Sequence, residues 1–167
     1  MESIYWTSFS HKEWTIFMAA SEKGLCFVGT SKEAVVAWCQ KHYKELVLVE
    51  NPEKMDEFKK QYEEYFTGKR VAFNIPMDLQ GTPFQKQVWR ELLQIPFGNT
   101  TCYSEIANRI HNPKAIRAVG GAIGANPLLI AIPCHRIIGK DGRLTGFSAG
   151  IPLKRVLLQL ENVLYKE

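Results

Sequence analysis

Several things are missing from this 167-residue chain. No apolar run is long enough to span a bilayer, and no signal-peptide pattern opens it. The expectation is therefore a cytoplasmic protein that makes no use of a membrane. Cysteine is sparse: Cys26, Cys39, Cys102 and Cys134 form no CxxC pair and no disulfide-scaffold spacing, which leaves reduced thiols as the simplest reading. A zinc quartet can be assembled from Cys26, Cys39, His11 and His42, but no ligand spacing supports it, and no cofactor is expected. The glycine-rich loop from Gly139 to Gly150 lacks the Gly-Lys-Ser/Thr of a phosphate loop and is not read as a nucleotide site. Acidic residues are scarce in the second half. Residues 81–167 carry 11 Lys+Arg against 5 Asp+Glu, whereas residues 1–80 carry 10 against 12. The basic excess lies wholly in the second half, and its simplest partner is a polyanion such as nucleic acid.

What is present fits a soluble globular chain, with 46% hydrophobic and 23% charged residues. The first half reads as a small α/β unit. Ile4–Phe9, Trp14–Ala20 and Leu25–Gly29 are β-rich runs separated by polar turns. Ser31 is placed to cap a helix whose inward face is Ala34, Val35, Trp38, Cys39 and His42. Leu46–Val49 is a short strand. Asn51-Pro52 then opens a helix through about Phe66, with Met55, Phe58, Tyr62 and Phe66 inward and Gly68 ending it. No chemistry is marked in this unit, and its expected role is support. Residues 74–82 read as a linker, rich in turn formers.

The second unit begins with Thr82 as N-cap and Pro83 at the first helical position, followed by an apolar face of Phe84, Val88, Trp89 and Leu92. Tyr103 to Ile110 and a helix from Asn112-Pro113 to about Ala125 form a helix-turn-helix candidate. In the second of these helices Ala115, Ile116, Val119, Ala122 and Ile123 fall on one side. Arg117, Gly120, Gly121 and Gly124 fall on the other. Three interior glycines each cost a helix roughly 1 kcal/mol relative to alanine, so that face is kept bare for something that approaches closely, either another helix or DNA. A final helix near Pro152 carries Leu153, Val156, Leu157, Leu160 and Leu164 as a stripe. Glu161 lies at its edge, and the residues alone favour a solvated glutamate there.

The chemistry is expected in Ile130-Ala-Ile-Pro-Cys-His-Arg-Ile-Ile138, read as a core strand or a strand-to-loop junction. Pro133 restricts the backbone just before Cys134. A thiol is a strong nucleophile only as thiolate, and His135 and Arg136 are the adjacent groups able to raise that fraction.

The motifs Gly81-Thr-Pro-Phe-Gln, Tyr103-Ser, Asn112-Pro-Lys-Ala-Ile-Arg-Ala-Val-Gly-Gly, Asn126-Pro, Ile132-Pro-Cys-His-Arg, Phe147-Ser and Glu161 occur in the order of the O6-alkylguanine-DNA alkyltransferases. Residues 81–165 closely resemble that family; residues 1–80 resemble its variable N-terminal domain only in layout. The resemblance implies an α/β domain of ribonuclease H-like layout over residues 1–80. Over residues 81–167 it implies a mostly α, winged-helix or helix-turn-helix DNA-binding domain. It implies DNA repair by direct reversal: Cys134 takes the alkyl group from O6-alkylguanine in double-stranded DNA and keeps it, a single-turnover methyltransferase with no obligate protein partner. The choice between guanine and O4-methylthymine lesions stays open.

The resemblance also implies roles. His135 takes the thiol proton through a water, Glu161 orients His135, and Asn126 fixes the backbone of the site. Tyr103 protonates the leaving guanine and pushes the DNA backbone, and Ser148 hydrogen-bonds at O6. Arg117 fills the stack vacated by a flipped base, with Gly121 on the groove-facing side. Ser104, Asn112, Lys114 and Arg136 serve as further DNA contacts. Phe147 stands where some members have tyrosine, and Ala149 where two glycines often occur, and both bear on pocket size. Two other readings compete. A non-enzymatic lesion sensor of the alkyltransferase-like type would lack the acceptor cysteine. A thiol hydrolase would need an oxyanion hole that nothing in the chain marks.

Overall fold

A computed structural model describes all 167 residues, and the chain divides into two compact units, Met1–Gln80 and Gly81–Glu167. The first holds a four-stranded mixed sheet in the order β3-β2-β1-β4, made of β1 (Glu2–His11), β2 (Trp14–Ser21), β3 (Gly24–Gly29) and β4 (Leu46–Glu50). The hairpin neighbours β1–β2 and β2–β3 run antiparallel, and β4 returns parallel to β1. That return needs a crossover, which α1 (Lys32–His42) supplies. Ser31 caps α1 by accepting from the Ala34 amide at 3.1 Å. The strand period of two sends alternate residues to opposite faces. Ile4 and Trp6 pack with Ala19, Cys26, Val35 and Cys39 beneath α1. Phe9 instead meets Tyr62 and Phe66 of α2 (Asp56–Phe66) edge-on.

Three details differ from expectation in this unit. Helix α2 begins at Asp56, because residues 52–55 form turns after Asn51. Its buried face also includes Gln61 and Tyr65, while Phe58 is only half-buried. The stretch 74–80, expected as a linker, is tied to the sheet edge. Leu25 N–H donates to Pro76 O and Asp78 N–H to Leu25 O, and buried Asp78 accepts from Ser21 Oγ, Tyr43 Oη and Gln80 Nε2 at 2.6–2.8 Å. Burial opposes the charge on Asp78, yet these donors hold its pKa below the usual carboxylate range. Gly24 is required here: its φ is +148°, and a Cβ would meet Pro76 O at 2.4 Å. The proposed zinc quartet does not converge. His11 stacks on Phe66 and His42 on Trp38, and no three potential metal ligands come together anywhere in the chain.

The second unit is helical: α3 (Pro83–Leu92), α4 (Tyr103–Arg109), α5 (Ile116–Gly124) and α6 (Ile151–Leu160). Thr82 and Gln85 form a reciprocal capping box at the start of α3, and Trp89 ties α3 to α5 by donating to Ala122 O at 2.8 Å. Helices α4 and α5 pack as a pair around a turn at His111, whose φ is +60°. Helix α5 starts at Ile116, three residues later than expected. Asn112-Pro-Lys-Ala closes its own turn, with Ala115 N–H donating to Asn112 O. The shift leaves Ile116 44% exposed instead of inward, while Val119, Ala122 and Ile123 are buried. Leu164 lies beyond the end of α6 and is 95% exposed, so it is no part of the apolar stripe. No helix is long and apolar enough to cross a membrane.

Candidate active site

Residues 126–136 are not a strand. They fold as tight turns that end in a single 3-10 turn, Cys134–Arg136. Asn126 organises the turns: its Oδ1 accepts from Leu128 N–H at 2.9 Å, and its Nδ2 donates to Ile132 O at 2.8 Å and to Cys134 Sγ at 3.1 Å. Ile130, buried and β-branched, sits at φ +74°. That conformation costs of order 1–3 kcal/mol and persists only where the surroundings over-determine it. The turns carry Cys134 to a cleft of about 260 Å³ lined by Tyr103, Gly120, Ile123, Gly124, Cys134, Gly146, Phe147 and Ser148. The sulfur is buried, yet it opens onto this cleft from the glycine side of α5.

Behind the sulfur lies a buried charge network. Glu161 is 2% exposed, so the sequence preference for a solvated glutamate fails. Its Oε2 pairs with His135 Nε2 at 2.6 Å and accepts from Arg136 Nη2 at 3.0 Å; its Oε1 accepts from Arg136 Nε at 2.8 Å and from Gly98 N–H at 3.0 Å. Arg136 also donates to Ile95 O at 2.6 Å. Arg136, expected among the DNA contacts, is instead buried, its Nε, Nη1 and Nη2 donating to Glu161 and Ile95 O within the protein. A carboxylate in the core needs a fork of donors, and arginine supplies one.

Burial pushes the Cys134 thiol above its ordinary pKa, while the Asn126 hydrogen bond and the charge of Lys154 pull it down. Burial also pushes His135 below its ordinary value, with Glu161 pulling the other way. Burial therefore favours the neutral imidazole, and in the tautomer whose Nε2–H donates to Glu161 the Nδ1 carries the lone pair.

The remaining candidates fall into two groups. Tyr103 and Ser148 line the cleft with Cys134. Asn112, Lys114, Arg117 and Gly121 lie exposed on the helix-turn-helix surface, outside the cleft lining, and Ser104 sits at the start of α4, its Oγ 3.2 Å from Cys102 Sγ. Lys154 escaped the sequence reading. It is 1% exposed, and its Nζ donates to Ile137 O at 2.6 Å, Thr145 O at 3.3 Å and Thr145 Oγ1 at 3.4 Å. The available signal was its spacing of three and four from Leu157 and Leu158, which puts it inside the apolar arc of α6.

Comparison with known proteins agrees with this architecture. The family description "6-O-methylguanine DNA methyltransferase, DNA binding domain" matches residues 83–163, and "6-O-methylguanine DNA methyltransferase, ribonuclease-like domain" matches residues 4–79. The chain is 44% identical over 162 residues to the inducible methylated-DNA–protein-cysteine methyltransferase of Bacillus subtilis, covering 95% of this chain and 90% of that one. It is 45% identical over 146 residues to the Methanosarcina mazei methylated-DNA–protein-cysteine methyltransferase, covering 87% and 89%. Among solved structures it resembles Mycobacterium tuberculosis OGT in complex with DNA, with TM-score 0.82, 36% identity and coverage of 94% and 92%. A small mixed-sheet unit followed by a helical DNA-binding unit, matched over nearly its whole length, makes this chain a member of the 6-O-methylguanine DNA methyltransferase family.

Proposed function

We propose that this chain repairs double-stranded DNA by moving an alkyl group from O6-alkylguanine to Cys134, once per molecule. The observation that carries this is the position of Cys134: it lines a cleft beside the bare glycine face of α5, with a buried histidine paired to Glu161 next in sequence.

The chemistry follows from the parts. His135 accepts the thiol proton through a bridging water, and Glu161 keeps the imidazole in place to receive it. The thiolate attacks the alkyl carbon, the carbon–O6 bond breaks, and the electron pair stays on guanine. Tyr103 supplies the proton that guanine takes up, and Ser148 donates at O6. Burial favours the protonated thiol at rest, so His135 has to take its proton before attack. The product is a thioether with no ready leaving path, so the protein is spent.

The target base is unreachable inside a duplex and has to be flipped. Arg117 takes its place in the stack. Helix α5 enters the minor groove, where Gly121 and Gly124 let the backbone come close and where base code is weak, so damage is read instead of sequence. Ser104, Asn112 and Lys114 hold phosphates.

The test is peptide mapping by mass after incubation with duplex DNA carrying O6-methylguanine. One methyl per protein, on Cys134, is expected, and none in Cys134→Ala. Repeated turnover, or methyl on another residue, overturns the proposal. A lesion sensor would bind the DNA and return it unchanged.

A further inference from the structure

Tyr103 lines the cleft, and its phenol oxygen lies 3.0 Å from Thr145 Oγ1. Thr145 Oγ1 in turn lies 3.4 Å from Lys154 Nζ. An ammonium only donates, so Thr145 Oγ1 accepts from Lys154, while either hydroxyl can be the donor between Tyr103 and Thr145. When Thr145 donates, the phenol keeps its own proton free to point elsewhere, and Tyr103 lines the cleft.

We propose that Thr145 is a positioning residue for Tyr103: bridged to buried Lys154, it turns the phenol proton into the cleft towards the departing base. The inference rests on the alkyl-transfer reading and adds a residue to it. Lys154 suits the post. It donates to uncharged oxygens, two of them backbone carbonyls that hold it in place independently of the threonine hydroxyl. Burial lowers its pKa to about 8, which still leaves it mostly charged at pH 7. A cation two hydrogen bonds from the phenol favours the phenolate that forms as the proton leaves. The Lys154–Thr145 hydroxyl contact is long, at 3.4 Å.

The step balances. The sulfur–carbon bond forms as the carbon–O6 bond breaks, guanine takes the electron pair and the Tyr103 proton, and the phenolate is held by Thr145. The proton that Cys134 released earlier restores the phenol through solvent.

The test compares transfer from O6-methylguanine duplex with alkylation of Cys134 by iodoacetamide, whose iodide leaves without a proton. Thr145→Val keeps the shape and removes the hydroxyl. It is expected to slow methyl transfer about tenfold, a fraction of what a positioned proton donor contributes. Iodoacetamide alkylation should be unchanged. Thr145→Ser, which restores the hydroxyl, should recover transfer to within about threefold of the original rate. In a Tyr103→Phe background Thr145→Val should add no further loss, because its effect passes through the phenol. Full transfer in Thr145→Val, an equal slowing of both reactions, or an undiminished loss in the Tyr103→Phe background overturns the assignment of Thr145 alone. An unsubstituted chain that transfers no methyl overturns the alkyl-transfer reading along with it.

Discussion

Removing the Glu161 carboxylate gives the sharpest test of the buried network. Four donors converge on it: Gly98 N–H, His135 Nε2, and Arg136 Nε and Nη2, at 2.6–3.0 Å. Glu161→Ala strands a guanidinium that is 7% exposed and leaves the imidazole without its orienting group. Breaking a buried pair by deleting one partner costs about 3–5 kcal/mol. At about 2–4 °C per kcal/mol for a chain of this size, the thermal midpoint should fall by roughly 10 °C. Trp89 is the only tryptophan after residue 80, so a fluorine-labelled tryptophan signal at that site follows unfolding of the second unit in urea.

The double variant Arg136→Met/Glu161→Leu removes the stranded guanidinium and should recover part of the loss; the Gly98 N–H and the His135 imidazole still lack their acceptor. Part of the stability returns in that variant but activity does not, since nothing orients His135; methyl transfer should stay slower by about 10²–10⁴-fold. A cost under about 1 kcal/mol for Glu161→Ala, or a double variant as unstable as the single one, would refute the argument that the carboxylate is held in place by Arg136.

Two further outcomes are expected. Arg117→Ala should weaken repair of duplex DNA far more than reaction with free benzylated guanine base, because Arg117 is exposed on α5 outside the cleft lining; equal losses would assign it to the chemistry instead. The Lys154 side-chain resonance should titrate near pH 8 rather than 10.5. Because the folded-state pKa is depressed, the folded chain binds fewer protons than the unfolded chain between those values. The contribution of Lys154 to stability therefore rises as pH climbs from about 8 to 10.5 and is lowest below 8. Titration near 10.5 would mean that the ammonium is hydrated.

Local pattern was enough for most of the elements and for drawing attention to Cys134. The capping residues Ser31 and Thr82, the strand alternation of β1 to β3 and the bare glycine face of α5 are all written in spacings of two to four residues, which is the reach of backbone geometry. The same pattern misplaced Ile116, because a turn closed by Asn112 and Ala115 rotated the start of α5 and no wheel predicts that rotation. It also read residues 130–138 as a core strand or a strand-to-loop junction, whereas only Ile137, bridged to Thr101, is extended and residues 130–136 are turns: an apolar run reports burial, and the hydrogen bonds of Asn126 make the turns.

The partners of Glu161, Arg136 and Lys154 were out of reach of local pattern for a different reason. His135 and Glu161 are 26 residues apart, Gly98 and Glu161 63 apart, and Tyr103 and Thr145 42 apart. Whether a glutamate at the edge of an apolar stripe faces water or a buried arginine depends on what the rest of the chain brings to meet it. The residue types and their order are properties of the chain alone, whereas pairing a buried charge requires two distant segments to arrive together, and only the packed structure decides that.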